Sequence, residues 1–132
     1  MPGLFSKIAS GEIPSYKIAE TENCFAFLDI SPLVKGHTLV IPKKETDYIF
    51  DIDSEPYKEL WDFARIVSKG IRKAVPCKRI GVAVIGLEVP HAHIHLIPIN
   101  HVSDMNFARP KLSLSKEEME EVAIAIRKEL AL

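Results

Sequence analysis

The apolar positions of this chain change period several times along its length, and each change marks an expected element. In "LFSKIASGEIPS", Leu4, Phe5 and Ile8 recur at helical spacing before Gly11 and Pro14 stop the turn, which predicts a brief amphipathic helix. "YKIAETENCFAFLDI" reads as two strands joined at Thr21–Asn23, and residues 24–30 are apolar on both faces, as a central strand is. Pro32 and Gly36 then supply a turn, and "HTLVIP" is a further strand that Pro42 ends. From Ser54, read as an N-cap, the residues Tyr57, Leu60, Trp61, Ala64, Val67, Ile71 and Ala74 keep a 3.6-residue period until Pro76, which predicts the longest helix. "RIGVAVIG" at 79–86 is a β-branched strand, and "HAHIHLIPI" at 91–99 makes the next one, antiparallel to it across a short connection. "NHVSDMNFARPKL" is irregular and polar. Ser115 and Glu118 form a capping-box pattern ahead of a closing helix whose apolar face carries Met119, Val122, Ala123, Ile126 and Leu130. Strands joined by short turns with helices inserted between them predict an α+β fold on an antiparallel sheet, not a doubly wound parallel one. No repeat or linker divides residues 1–132, so one domain is expected.

Composition narrows the partners. With 132 residues, 27% charged and a formal net charge of -1, the chain has the bulk to bury a core and no basic field for a nucleic-acid backbone or an anionic membrane. A phosphate-bearing partner is therefore expected to be small. Cys24 and Cys77 form no metal-ligand spacing, and two buried thiols in a reducing compartment are expected. No apolar run is long enough for a signal peptide or a membrane span, so cytoplasm is the expected location.

Three of the five histidines fall in "HAHIHLIPI" at every second position. Alternation along a strand would put His91, His93 and His95 on one face with neighbours ~7 Å apart, and Ala92, Ile94 and Leu96 into the core. Three close rings resist joint protonation, which favours at least one neutral nitrogen able to attack an electrophile or hold a metal. Two chemistries follow. A His-x-His pair can give two ligands to a catalytic zinc, but only Glu88 lies near enough to supply a carboxylate. The other is covalent catalysis on phosphorus, in which one histidine attacks and its neighbours donate hydrogen bonds to the non-bridging oxygens.

The run "HAHIHLIP" matches His-x-His-x-His-x-x with apolar x, and so resembles the histidine triad (HIT) superfamily of nucleotide hydrolases and transferases. "LFSKIASGEIPSYKIAETENCFAFLDISPLVKGHTLVIPKKE" is similar to the amino-terminal half of its Hint-like branch, so the likeness covers nearly the whole chain. The resemblance implies a five-stranded antiparallel sheet with one long and one carboxy-terminal helix, paired in a homodimer into ten strands. It implies His93 as the nucleophile on the α-phosphorus of a nucleotide conjugate, with its other ring nitrogen held by the backbone carbonyl of His91. His95 and His37 match positions that contact phosphate oxygens. Asp29 matches the acidic residue that accepts ribose hydroxyls, and Leu4, Phe5, Ile8, Phe27 and Ile30 match the apolar slot for the base. No metal or other cofactor is implied for the reaction.

Two departures qualify what carries over. Leu87 and Glu88 stand where the Hint pattern has a Gln-Ser pair, and a carboxylate beside a phosphate is unfavourable unless protonated or turned away. Glu88 then either assists the leaving group or meets a cationic part of the substrate. Some bacterial relatives carry a structural zinc that begins with C-x-x-C; here Gly3, Ser6 and Glu45 occupy matching positions, and no structural zinc is expected. His101 is read as a solvated loop residue. The sequence thus predicts a nucleotide-conjugate hydrolase or nucleotidyl transferase, with a purine-nucleotide-binding regulatory module and a metal-dependent hydrolase as the alternatives.

Overall fold

A computed structural model describes residues 2–130. Helix α1 (Leu4–Ala9) precedes strands β1 (Lys17–Glu20), β2 (Cys24–Leu28) and β3 (Thr38–Pro42). Helix α2 (Ser54–Ala74), strands β4 (Arg79–Ala83) and β5 (Ile94–Ile99) and helix α3 (Lys116–Glu129) follow. The strands form one antiparallel sheet in the order β1-β2-β3-β5-β4. β5 therefore inserts between β3 and β4, which brings the end of the histidine run against the strand that begins just after His37, with Leu39 opposite His95.

The two faces of the sheet do different work. Helices α2 and α3 cover one face, where Leu60, Val67, Ile71, Ala123 and Ile126 bury completely against Ala26, Val40 and Ile94. Each such aliphatic side chain contributes about 1.5–3 kcal/mol by leaving water. On the other face the short α1 packs Phe5 and Ile8 on Phe25, Phe27, Leu39 and Ile41, and Phe107 from the segment after β5 packs on His95. Part of that face stays open, and the histidines lie there. No side chain of β2 or β3 is exposed, as expected for strands inside the sheet.

Several expected boundaries move, each for a local reason. β2 ends at Leu28 instead of residue 30, because Asp29 Oδ1 accepts the Ser31 N–H at 2.9 Å and turns the chain. The long helix is capped by Asp53 rather than Ser54, with the Asp53 carbonyl accepting from Tyr57 N at 2.9 Å. β4 stops at Ala83, and residues 84–93 form a longer connection than expected, turned at Gly86 with φ +72°. The strand after it begins only at Ile94, so His91 and His93 precede the ladder. The capping box at α3 is formed in both directions, Ser115 Oγ accepting from Glu118 N and Glu118 Oε1 from Ser115 N, each at 3.1 Å.

Gly3, Ser6 and Glu45 meet. Glu45 Oε1 accepts from Gly3 N and Ser6 Oγ, both at 2.8 Å, and so holds the first turn of α1 against the segment after β3. These hydrogen bonds hold the Glu45 carboxyl below the usual carboxylate range.

Candidate active site

A cavity of about 510 Å³ opens on the α1 side of the sheet, within the usual size of a small-molecule site. Its walls include all seven residues expected to bind substrate: Leu4, Phe5, Ile8, Phe27, Asp29, Ile30 and Glu88. His37, His93 and His95 line it as well. His91 does not; it is buried beside Phe5, with ring centroids 5.8 Å apart. Ile30 and Leu87 are largely exposed at the rim, and Glu88 is exposed as well.

Backbone groups settle where the ring protons lie. His93 Nδ1 is 2.7 Å from the His91 carbonyl oxygen, which can only accept, so Nδ1 carries the proton and Nε2 keeps its lone pair. His91 likewise donates from Nε2 to the Pro42 carbonyl at 2.7 Å, leaving its buried Nδ1 without a partner among the described residues. His37 Nδ1 accepts the Leu33 N–H at 3.0 Å, so the proton of neutral His37 sits on Nε2 and is donated to His95 Nδ1 at 2.9 Å. That leaves Nε2–H as the one donor of the His95 ring. A backbone amide thus sets two side chains in series.

Burial opposes a charge on His37, His95 and His91. His37 is 1% exposed and is driven down to about 3, first by burial and then by the neighbouring histidines; His95 falls to about 4 for the same reasons, and burial lowers His91 too. Burial acts on Asp29 in the opposite sense and raises its carboxyl, so its 3.7 Å approach to neutral His37 is not a salt bridge. The rings of His93 and His95 lean together, 4.9 Å between centroids, and Phe5 packs edge-on against His93 at 5.1 Å.

The three rings of the run do not converge as ligands. Among the described residues the group able to surround a cation is Asp29, His37 and His95. Its donor set fits poorly: His37 Nδ1 is taken by the Leu33 amide and Nε2 carries a proton that a metal would have to displace.

Sequence reasoning did not find Phe107 and Lys111. Both reach the cavity from the segment read as irregular and polar, where the aromatic at 107 was the available signal. His101, by contrast, is exposed and does not line the cavity.

The HIT-domain family model matches residues 10–102. An uncharacterised HIT-like protein of Methanocaldococcus jannaschii is 42% identical over 106 residues, covering 72% of this chain and 77% of its own. A Schizosaccharomyces pombe protein named adenosine 5'-monophosphoramidase is 33% identical over 121 residues, covering 90% and 91%. The crystal structure of a HIT-like protein from Bartonella henselae superposes with a TM-score of 0.83 at 32% identity, covering 97% of this chain and 96% of the other. With its histidine run, sheet order and neighbours in agreement, the chain belongs to the HIT family.

Proposed function

We propose that the protein is a nucleotide-conjugate hydrolase or nucleotidyl transferase that works at the α-phosphate through a nucleotidyl-His93 intermediate. The observation that carries this reading is the 2.7 Å bond from His93 Nδ1 to the His91 carbonyl, which leaves an unprotonated Nε2 on a ring lining the cavity. In the first step Nε2 shares its lone pair with phosphorus while the bond from phosphorus to the leaving group breaks. The leaving group departs with that electron pair and takes up a proton. In the second, water or another acceptor attacks the same phosphorus, the P–N bond breaks, and His93 recovers its lone pair as the acceptor loses a proton. His95 donates Nε2–H to a phosphate oxygen, held in that tautomer by His37 and Leu33 N. Asp29 accepts the ribose hydroxyls, and Leu4, Phe5, Ile8, Phe27 and Ile30 hold the base. The name of the S. pombe relative adds support for an adenylyl phosphoramidate as substrate.

The test is intact-mass analysis after quenching with adenosine 5'-monophosphoramidate, dinucleoside polyphosphates and nucleotide sugars. A nucleotidyl adduct and nucleoside monophosphate are expected from the native chain, and neither from His93→Ala. A native protein that releases no nucleoside monophosphate from any of them overturns the enzymatic reading. It would favour a nucleotide-binding module, for which the replacement of polar contacts by Leu87, 88% exposed, and Glu88 is the specific observation.

We infer a homodimer for the same protein. β4 ends the sheet with an unpaired edge, and Val82 on it and Tyr48, Phe50 and Ile85 beside it are exposed. A second copy pairing there would continue the sheet and cover them. No helix among the described residues is long and apolar enough to cross a membrane.

A further inference from the structure

The cavity has a charge problem that the histidines do not solve. A phosphate ester entering it meets the carboxylates of Asp29 and Glu88, while His37 and His95 are held uncharged. Among the described residues that line it, Lys111 is the one lysine or arginine. It lies beyond the stretch that the family match covers.

The segment that carries Lys111 is built, not loose. Asp104 Oδ2 accepts from Asn100 N at 2.8 Å and His101 N at 2.9 Å, and Arg109 donates to the Ser103 carbonyl at 3.0 Å. Met105 lies on β4 where Gly81 leaves room, since a Cβ there would fall 2.7 Å from its sulfur. At the far end Leu112 N donates to the Pro32 carbonyl at 2.8 Å, tying the segment to the turn that follows Asp29. Phe107 then packs edge-on against His95 at 4.9 Å and His37 at 6.2 Å. Lys111 Nζ donates to the carbonyls of Phe107 at 2.6 Å and Arg109 at 3.4 Å. An ammonium has three N–H donors, so one is left for a ligand.

Resting on the nucleotide reading above, we propose that Lys111 is a phosphate-binding residue of this site and sets its preference for nucleotides over nucleosides. The two backbone carbonyls aim the ammonium from the loop, and Phe107 seats that loop on the histidine pair. The remaining N–H makes a charge-assisted bond to a non-bridging phosphate oxygen, offsetting the repulsion from Asp29 and Glu88. Lysine does this as a point charge, so arginine should substitute in part while a neutral side chain should not.

Calorimetry of adenosine and AMP binding to the native chain, Lys111→Gln and Lys111→Arg tests this. The native protein is expected to bind AMP more tightly than adenosine. Lys111→Gln should weaken AMP about tenfold or more, the loss expected of one charge-assisted hydrogen bond, and leave adenosine within about twofold. Lys111→Arg should recover most of the AMP affinity. Adenosine binding also reports whether each variant keeps its pocket. If Lys111→Gln retains the full preference for AMP, or weakens both ligands alike, the inference is overturned and the nucleotide reading stands. If the native protein binds neither ligand, both fall together.

Discussion

Lowering the pH from 7.5 to 5 should destabilise this fold through His37 and His95. Their folded values, about 3 and about 4, lie below the unfolded histidine value near 6.5. In that interval the unfolded chain binds protons that the folded chain refuses, so stability is fully present above the unfolded value and is lost as the pH falls toward the folded ones. Each ring then costs about 1.4 kcal/mol per pH unit below 6.5, or about 2 kcal/mol by pH 5. The two rings share a 2.9 Å hydrogen bond and titrate as a pair, so about 4 kcal/mol is the upper bound for both. Burial of His91 adds in the same direction. The raised carboxyl of Asp29 acts in the opposite sense, since the folded chain takes up its proton more readily than the unfolded one. Urea denaturation at fixed protein concentration, run at pH 7.5, 6.5, 5.5 and 5, would measure the slope of stability against pH for the native chain and for His37→Asn/His95→Asn. The double variant has nothing to titrate at either position and should show a shallower slope. Equal slopes would refute the claim that the two rings are buried in their neutral form.

Gly36 has φ +94°, and a Cβ there would lie 3.0 Å from Val75 and 3.1 Å from Pro98, so Gly36→Ala should lower stability by about 1–3 kcal/mol in urea titrations. Glu45→Ala removes both bonds that hold the start of α1, and hydrogen exchange in α1 should quicken while α2 is unchanged. Nucleotide affinity should fall with it, because Phe5 and Ile8 form part of the cavity wall. Val82→Lys places a charge on the open edge of β4; sedimentation velocity is expected to show a dimer for the native chain and a monomer for the variant.

Periodicity made the sheet and its helices legible, because their apolar faces repeat at 2 or 3.6 residues and burial enforces the repeat. Phe25, Phe27, Leu39 and Ile41 on one side, and Leu60, Val67 and Ile71 on the other, are where their spacing puts them. Boundaries were less legible, since they depend on local backbone bonds: the Asp29 side chain turns its own strand short, and the Asp53 carbonyl, with no side-chain cap bond, opens the helix one residue before Ser54. The residues around the histidine run could be named from their likeness to a family pattern, but Phe107 and Lys111 could not. They sit in a segment with no period, and what brings them to the cavity is a set of long-range bonds such as Leu112 N to the Pro32 carbonyl. Such a bond leaves no trace in local composition.

The same dependence on backbone groups fixes the tautomers of the four buried histidines. A neutral imidazole with both nitrogens in water exchanges tautomers freely, and a nucleophile needs one of them fixed. Here the His91 carbonyl fixes His93, the Pro42 carbonyl fixes His91, and the Leu33 amide fixes His37 and through it His95. Each of these partners is main chain, at the end of β3, in the connection before β5 or in the turn at residues 32–36. Among the described residues, no carboxylate is hydrogen-bonded to any of the four rings. A carboxylate in place of those main-chain partners would raise the histidine pKa and protonate the pair that burial now keeps neutral. The free lone pair on His93 Nε2 and the N–H on His95 Nε2 are therefore properties of the backbone path as much as of the side chains. The spacing of the histidines puts the rings in reach of that path.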